Sequence, residues 1–493
     1  MNFLWIFSLI IGAIVSYFFY DRGRDERFPE ESERRDTALV DPLALPCCLF
    51  FCALLVLLLS NKTDFDISEL LISELLLLLI GIGVYYAILL CILPLLRRLF
   101  SARACATLWL LPNFLYLGRN MRNLRMGSPP LILTVPIRWL HIIGMIWAVG
   151  FAAILLWQIV SHFSYRRFLL RHAVPVSRQE LTILWEEEQT RCGRCPKKPI
   201  PIIVSAEAKS PLTIGIFCRA QRLVLPHLNY TPEEFRLIFR HEMHHIRRLD
   251  TRTKAFWGFC TALCWFNPLM WIARRKVSDD LELSCDELVL AQEDENTRRK
   301  YAQLLLNTAG SSKGYTTCLS AAASSLRYRL KNIVTPRKRF SGVLLVGPAT
   351  ALMFMGSACV ALADSPDTIA AQIFSTLPAG DLTLDAVTFY EDSITTANRR
   401  PESWDQEKLT EYLSGLPVRR VYSNADASGS GQHLIFEFTT KEHELTTSRT
   451  ILSVYDDVIV VSRFFSNGAP CLFALDEAPD WDFLHSCLTF AET

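Results

Sequence analysis

Thr231-Pro232-Glu233-Glu234-Phe235-Arg236-Leu237-Ile238-Phe239-Arg240-His241-Glu242-Met243-His244-His245 decides how the centre of this chain folds. A threonine followed three residues later by glutamate is a capping box, and proline suits the first helical position. Phe235, Ile238 and Phe239 then give an apolar stripe at helical spacing. On that helix residues i and i+4 share a face, so His241 and His245 can offer two imidazoles to one Zn²⁺. Glu242 stands beside them as a general base. His244 reads as an ordinary helix residue. A catalytic zinc takes a third protein ligand and keeps one position open.

Downstream, Asn267-Pro268 reads as the cap and first turn of a second long helix running through Leu290. Glu282 and Asp286 lie on one face of it, as i and i+4. Glu282 is a candidate third ligand, and Asp286 a candidate to orient a ligand histidine. The same spacing suits a solvated acidic face, because Asp279, Asp280 and Glu287 are close by. Upstream, Ile202–Ala206 and Leu212–Leu225 read as strands, which either offer an extended substrate an edge or simply pack on the helix.

Further out, apolar runs dominate. Hydrophobic residues make up 51% of the 493-residue chain, high for a soluble protein. Phe3–Tyr20, Leu43–Ser60, Leu75–Leu96, Trp139–Val160 and Phe340–Leu362 approach the length needed to cross a bilayer, and Ala104–Gly118 is a marginal sixth. Phe3–Tyr20 lacks the basic start and cleavage signal of a secretory leader. Arg327, Arg329, Lys331, Arg337, Lys338 and Arg339 before the last run, and Arg166, Arg167 and Arg171 after Val160, mark cytoplasmic sides. With Arg97, Arg98 and Arg103 also inside, six spans and two outer termini follow, although Arg119, Arg122 and Arg125 then fall outside. Ala255–Ala273 is nearly long enough to cross, but candidate ligands flank it. It is expected to be buried or re-entrant against the membrane.

The formal net charge is +1, which excludes a strongly basic nucleic-acid binder. From Asp364 onward 21 Asp and Glu face 8 Lys and Arg, so the tail is a separate acidic territory. Strand-like runs at Leu384–Tyr390, His433–Thr439, Ile451–Val461 and Cys471–Leu475, with helix-like Asp405–Leu413 and Asp480–Phe490, predict a compact α+β domain. Cys471 and Cys487 can pair if the tail is exported. Cys192 and Cys195 form a lone CxxC, a weak metal signal. Ala361-Leu362-Ala363 has the pattern of a signal-peptidase site.

Three blocks in order resemble the BlaR/MecR family of membrane metallopeptidases: HEMHHIRRLD at His241–Asp250, NPLMW at Asn267–Trp271, and ELSCDELVL at Glu282–Leu290. Ser210–Pro226 resembles that family's strand pair and Thr107–Pro112 one of its spans, so the likeness covers about Leu75 to Leu362. The resemblance implies a gluzincin-like cytoplasmic α+β zinc domain with Glu282 as third ligand and Asp286 as its companion. The substrate it implies is a winged-helix transcriptional repressor or the protein's own cytoplasmic loop. The family's outer penicillin-binding sensor uses an SxxK serine. Here Lys408 and Lys441 are preceded at that spacing by Asp405 and Phe438, so covalent β-lactam capture is not expected.

The expectation is therefore a multi-pass α-helical membrane protein. Residues 1–66 hold extra N-terminal spans and a charged cytoplasmic loop, 67–160 a transmembrane bundle, and 161–339 the zinc domain. Residues 340–363 form a last span and 364–493 an outer domain for an unidentified ligand. The competing reading is a receptor or scaffold that keeps the zinc fold and signals by conformation, but such a protein has no use for Glu242. A transporter is disfavoured because, apart from Glu69 and Glu74, the spans lack intramembrane charges.

Overall fold

The computed structural model describes residues 3–31, 36–39, 41–43, 67–114, 131–192, 199–227, 230–310, 319–336, 339–357, 360–374, 382–390, 398–421, 432–443, 446–464 and 471–490. Among them three helices are long and apolar enough to cross a membrane: α1 (Phe3–Arg27), α2 (Ile67–Leu99) and α4 (Ile137–Leu170). The expected span Leu43–Ser60 lies almost wholly outside the described residues.

Two expected spans are built differently. Ala104–Gly118 is not a single helix: α3 covers only Ala102–Leu108, capped by Ser101, and a 3-10 turn at Leu111–Phe114 accommodates Pro112. The chain still climbs here. Ser101 lies by the last turn of α2, whereas the carbonyls of Leu108 and Trp109 accept from Tyr85 and Tyr86 near the middle of that helix. Leu133 shares an apolar cluster around Leu140 and Leu362 with Ile72 and Leu76, near the start of that helix. The last apolar run ends early as a helix: α11 spans Val343–Ser357, and Val360–Ala363 is strand β6. Residues Ala361, Leu362 and Ala363 are buried in a sheet, which hides the cleavage-like pattern from a protease.

The expected re-entrant segment is a helical hairpin. α7 (Asp250–Leu263) leads to a turn capped by Asn267, and α8 (Pro268–Val289) returns. Trp147 donates to the Leu263 carbonyl. The turn lies at the level of Gly83 and Gly150, close to the middle of α2 and α4. The hairpin therefore turns back half-way, and both its ends stay on one side. A Cβ at Gly150 would meet the Trp265 ring at 2.2 Å, so this glycine makes room for the tip.

Beside the hairpin's base stands the expected α+β body. Four short strands, β2 (Val174–Pro175), β3 (Ile202–Val204), β4 (Leu212–Ile214) and β5 (Arg222–Leu225), form a sheet in the order β2-β3-β5-β4. Against it packs α6 (Pro232–Arg247), with α5 (Gln179–Arg191), α9 (Glu295–Gly310) and α10 (Leu319–Val334) around them. Its core holds Trp185, Phe235, Phe239 and Met243, and burial of such side chains contributes roughly 1.5–3 kcal/mol each.

The acidic tail supplies eight strands of a ten-stranded sheet with its own core of Phe436, Phe438, Leu452 and Ile459. The run Ile451–Val461 is corrected to a hairpin: Thr446–Val454 and Val458–Phe464 pair across Tyr455–Asp457, where two aspartates make the turn. Likewise Asp480–Phe490 is a short helix, Trp481–Ser486, followed by strand Leu488–Thr489. Cys471 and Cys487 are not joined in a disulfide. The sheet reaches back to the bundle. Leu131–Thr134 (β1) pairs in parallel with β6, and Asp364 accepts from the Ile137 amide at the first turn of α4.

Candidate metal centre

The capping box forms: Thr231 N–H donates to Glu234, whose own N–H donates to the Thr231 hydroxyl. It fixes where α6 begins, and so which face His241 and His245 share. Their Nε2 atoms lie 3.1 Å apart. From α8, Glu282 brings Oε2 to 3.4 Å from the first and 3.5 Å from the second. Donors at zinc's ~2.0–2.1 Å in a tetrahedron are separated by about 3.3 Å, so the triangle has the right size.

Proton accounting supports a cation. His245 Nδ1 is 2.6 Å from Asp250, an acceptor, and must donate to it. Tyr301 donates its hydroxyl to Asp286 at 2.8 Å, so its oxygen accepts from His241 Nδ1 at 3.0 Å. With both Nδ1 positions protonated, each neutral imidazole turns a lone pair inward. In that neutral form two nitrogens and a carboxylate oxygen converge on one point. A proton on His245, which Cys285 and Glu282 hold well above the ordinary histidine value against burial, or a metal cation relieves the repulsion, and an N/N/O set suits Zn²⁺.

Asp250 arrives through an unusual turn. Leu249, at φ 58, is left-handed between α6 and α7, a sparsely populated state for a branched side chain. This lets Asp250 open α7 directly under His245. Burial alone would raise its carboxyl, but the Arg248 guanidinium and the His245 bond hold it below the ordinary carboxylate range. Cys285 packs on the same side, its Sγ 3.4 Å from His245 Nδ1.

Glu242 is mostly buried and accepts from the Thr213 hydroxyl at 2.7 Å. Thr213 belongs to β4, which pairs only with β5 among the described strands and so is the sheet's edge. His244 points into the interior, where burial and then Arg248 and Arg247 push it well below its ordinary value and keep it neutral.

The structure thus brings His241, His245, Glu242 and Glu282 to one place. Asp286 is not a solvated acid; it is 1% exposed and reaches His241 through Tyr301. Asp280 is also buried, bonded to Arg97 and Trp109. Asp250, Thr213, Tyr301 and Arg329 were not assigned to the centre from the sequence. Only Asp250 carried a signal, as an acid just past the second histidine. Cys192 packs against Glu188, while Cys195 lies outside the described residues.

A metallopeptidase-like domain at the base of a membrane bundle is the class that fold and site define. Residues 130–333 match the family described as BlaR1 peptidase M56. The chain is similar to the regulatory protein BlaR1 of Bacillus licheniformis, 25% identical over 215 residues, 42% of this chain and 35% of that protein. It is also similar to the methicillin resistance mecR1 protein of Staphylococcus aureus, 26% identical over 113 residues, 22% of this chain and 19% of that protein. The alignments thus span about a third or less of these relatives. Together with its apolar helices, these matches support a BlaR/MecR-like membrane protein in which residues 130–333 match the M56 peptidase family.

Proposed function

We propose that the chain is a membrane zinc metallopeptidase of HExxH, gluzincin-like type that turns an extracytoplasmic signal into cytoplasmic peptide-bond cleavage. The observation that carries this reading is the convergence of His241, His245 and Glu282 on one point, with both Nδ1 protons committed elsewhere. These three residues would hold Zn²⁺, which supplies a Lewis acid for the scissile carbonyl and makes water more acidic. Glu242 takes the proton of the attacking water, and Thr213 fixes its carboxylate. Asp250 and the Tyr301–Asp286 pair keep the ring tautomers that turn each Nε2 inward.

The substrate is a winged-helix repressor or the protein's own cytoplasmic loop. Residues 364–493 read an outer ligand, six spans lie in the lipid bilayer, both termini are outside, and the zinc domain is inside. The direct test is Glu242→Gln, which keeps size and removes basicity. Zinc should stay bound while cleavage, followed by intact mass of the chain and a co-expressed repressor, falls ~10²–10⁴-fold. Undiminished cleavage in the zinc-loaded variant would replace the peptidase by a receptor that signals through conformation.

A further inference from the structure

Arg329 lies on α10, outside the helices that carry the three candidate ligands. Its guanidinium grips Asp286 with two bonds, Nε to Oδ2 and Nη2 to Oδ1, both 2.7 Å. Its third nitrogen, Nη1, lies 3.4 Å from Oε2 of Glu282, the oxygen turned toward the histidines. One planar cation therefore touches the carboxylate ligand directly and, through Asp286 and Tyr301, the ring of His241. Besides the two histidines, Lys254 also pairs with Glu282, on the other oxygen, Oε1.

The chain around Arg329 gives this contact a second meaning. α10 ends at Val334, and after eight intervening residues α11 begins on its way to β6 and the outer sheet. On that link Arg339 pairs with Glu287, the neighbour of Asp286, and donates to Asn332 of α10. Phe340 is tied by backbone bonds to Leu99 and Ser101 at the inner end of α2. Residues 282–287 of α8 are thus held by two arginines that both come from the segment entering the last apolar helix.

We propose that Arg329 is a positioning residue for the metal centre. It sets Glu282 and Asp286, and it makes the metal's hold depend on where α10, and with it the segment leading to the outer domain, is seated. This deepens the zinc-peptidase reading and rests on it. A guanidinium suits the task because its fork meets one carboxylate bidentately and leaves a nitrogen for another, which an ammonium cannot do.

The test is zinc affinity of the full chain in detergent, by competition with a chromophoric chelator, on folded protein isolated by size exclusion. Arg329→Gln should lower affinity by about 10–100-fold, the range for partners behind metal ligands. Arg329→Lys should recover only part of it. The double change Arg329→Met with Asp286→Asn removes both buried charges and should stay weak, because Glu282 Oε2 still lacks Arg329 and His241 lacks the Asp286 carboxylate behind Tyr301. Wild-type affinity in Arg329→Gln, or full recovery in the double variant, overturns the proposal and leaves Arg329 as a neutraliser of Asp286. A wild-type chain that binds no zinc sinks the metal reading itself, and this proposal with it.

Discussion

At the residue scale, the candidate centre is a matter of where protons sit. Asp250 accepts from His245 Nδ1, and that bond leaves Nε2 free to face His241 and Glu282. Asp250→Asn removes the charge that favours this tautomer. Zinc affinity should fall about 10–100-fold, measured by chelator competition. Glu282→Ala should weaken zinc more severely than Asp250→Asn, and His241→Ala or His245→Ala should abolish it. If Glu282→Ala kept full occupancy while Asp286→Ala lost it, the ligand assignment would be wrong. The two histidines and Glu242 were legible in sequence because a helix converts i, i+4 spacing into a shared face without further information. Asp250 was visible as an acid past the second histidine, but its place under His245 was not, because a left-handed leucine, with no glycine or proline to announce it, makes the turn.

At the element scale, α1 and α11 carry a close backbone contact that spacing alone did not reveal. A Cβ on Gly12 would stand 2.6 Å from the Gly347 carbonyl oxygen, and one on Gly347 would stand 2.3 Å from Ser16 Oγ and 2.8 Å from the Gly12 oxygen. Ser16 donates to the Val343 carbonyl across the same seam. Small residues let helices in lipid approach so closely, where packing replaces the hydrophobic effect as the driving force. Gly347→Leu should therefore destabilise the chain by about 1–3 kcal/mol through overpacking. Gly81→Leu, at a site in α2 with open space around its Cβ, is the control and should leave the melting temperature in detergent unchanged. Equal melting of the two variants would show that the α1–α11 seam carries no stability. The C-terminal end of α1 goes on to touch α6, where Arg247 donates to the Asp25 carbonyl, and α3, where Arg103 pairs with Glu26.

For the whole molecule, the prediction is topological. Reporter fusions after Arg171 should be cytoplasmic and fusions after Thr493 outside, as the basic flank before Phe340 and the acidic tail after it require. A cytoplasmic C-terminus would remove the outer sensor and leave the metal centre untouched. The sequence by itself determined the apolar runs, the acidic tail and the ends of the two central helices, all set by local chemistry: hydropathy, caps and the 3.6-residue period. It also put two histidines and a glutamate where one ion can reach them. Only the tertiary structure decided the rest. The half-way turn of the Asp250–Val289 hairpin depends on Gly150 yielding to Trp265, 115 positions away in numbering. The strand Val360–Ala363, apolar enough to read as membrane helix, became part of a sheet because β1 and the tail supplied its partners. Arg329 and Tyr301 joined the centre because α9 and α10 fold back over α8, and contacts between segments so distant in the chain leave no periodic trace in the sequence.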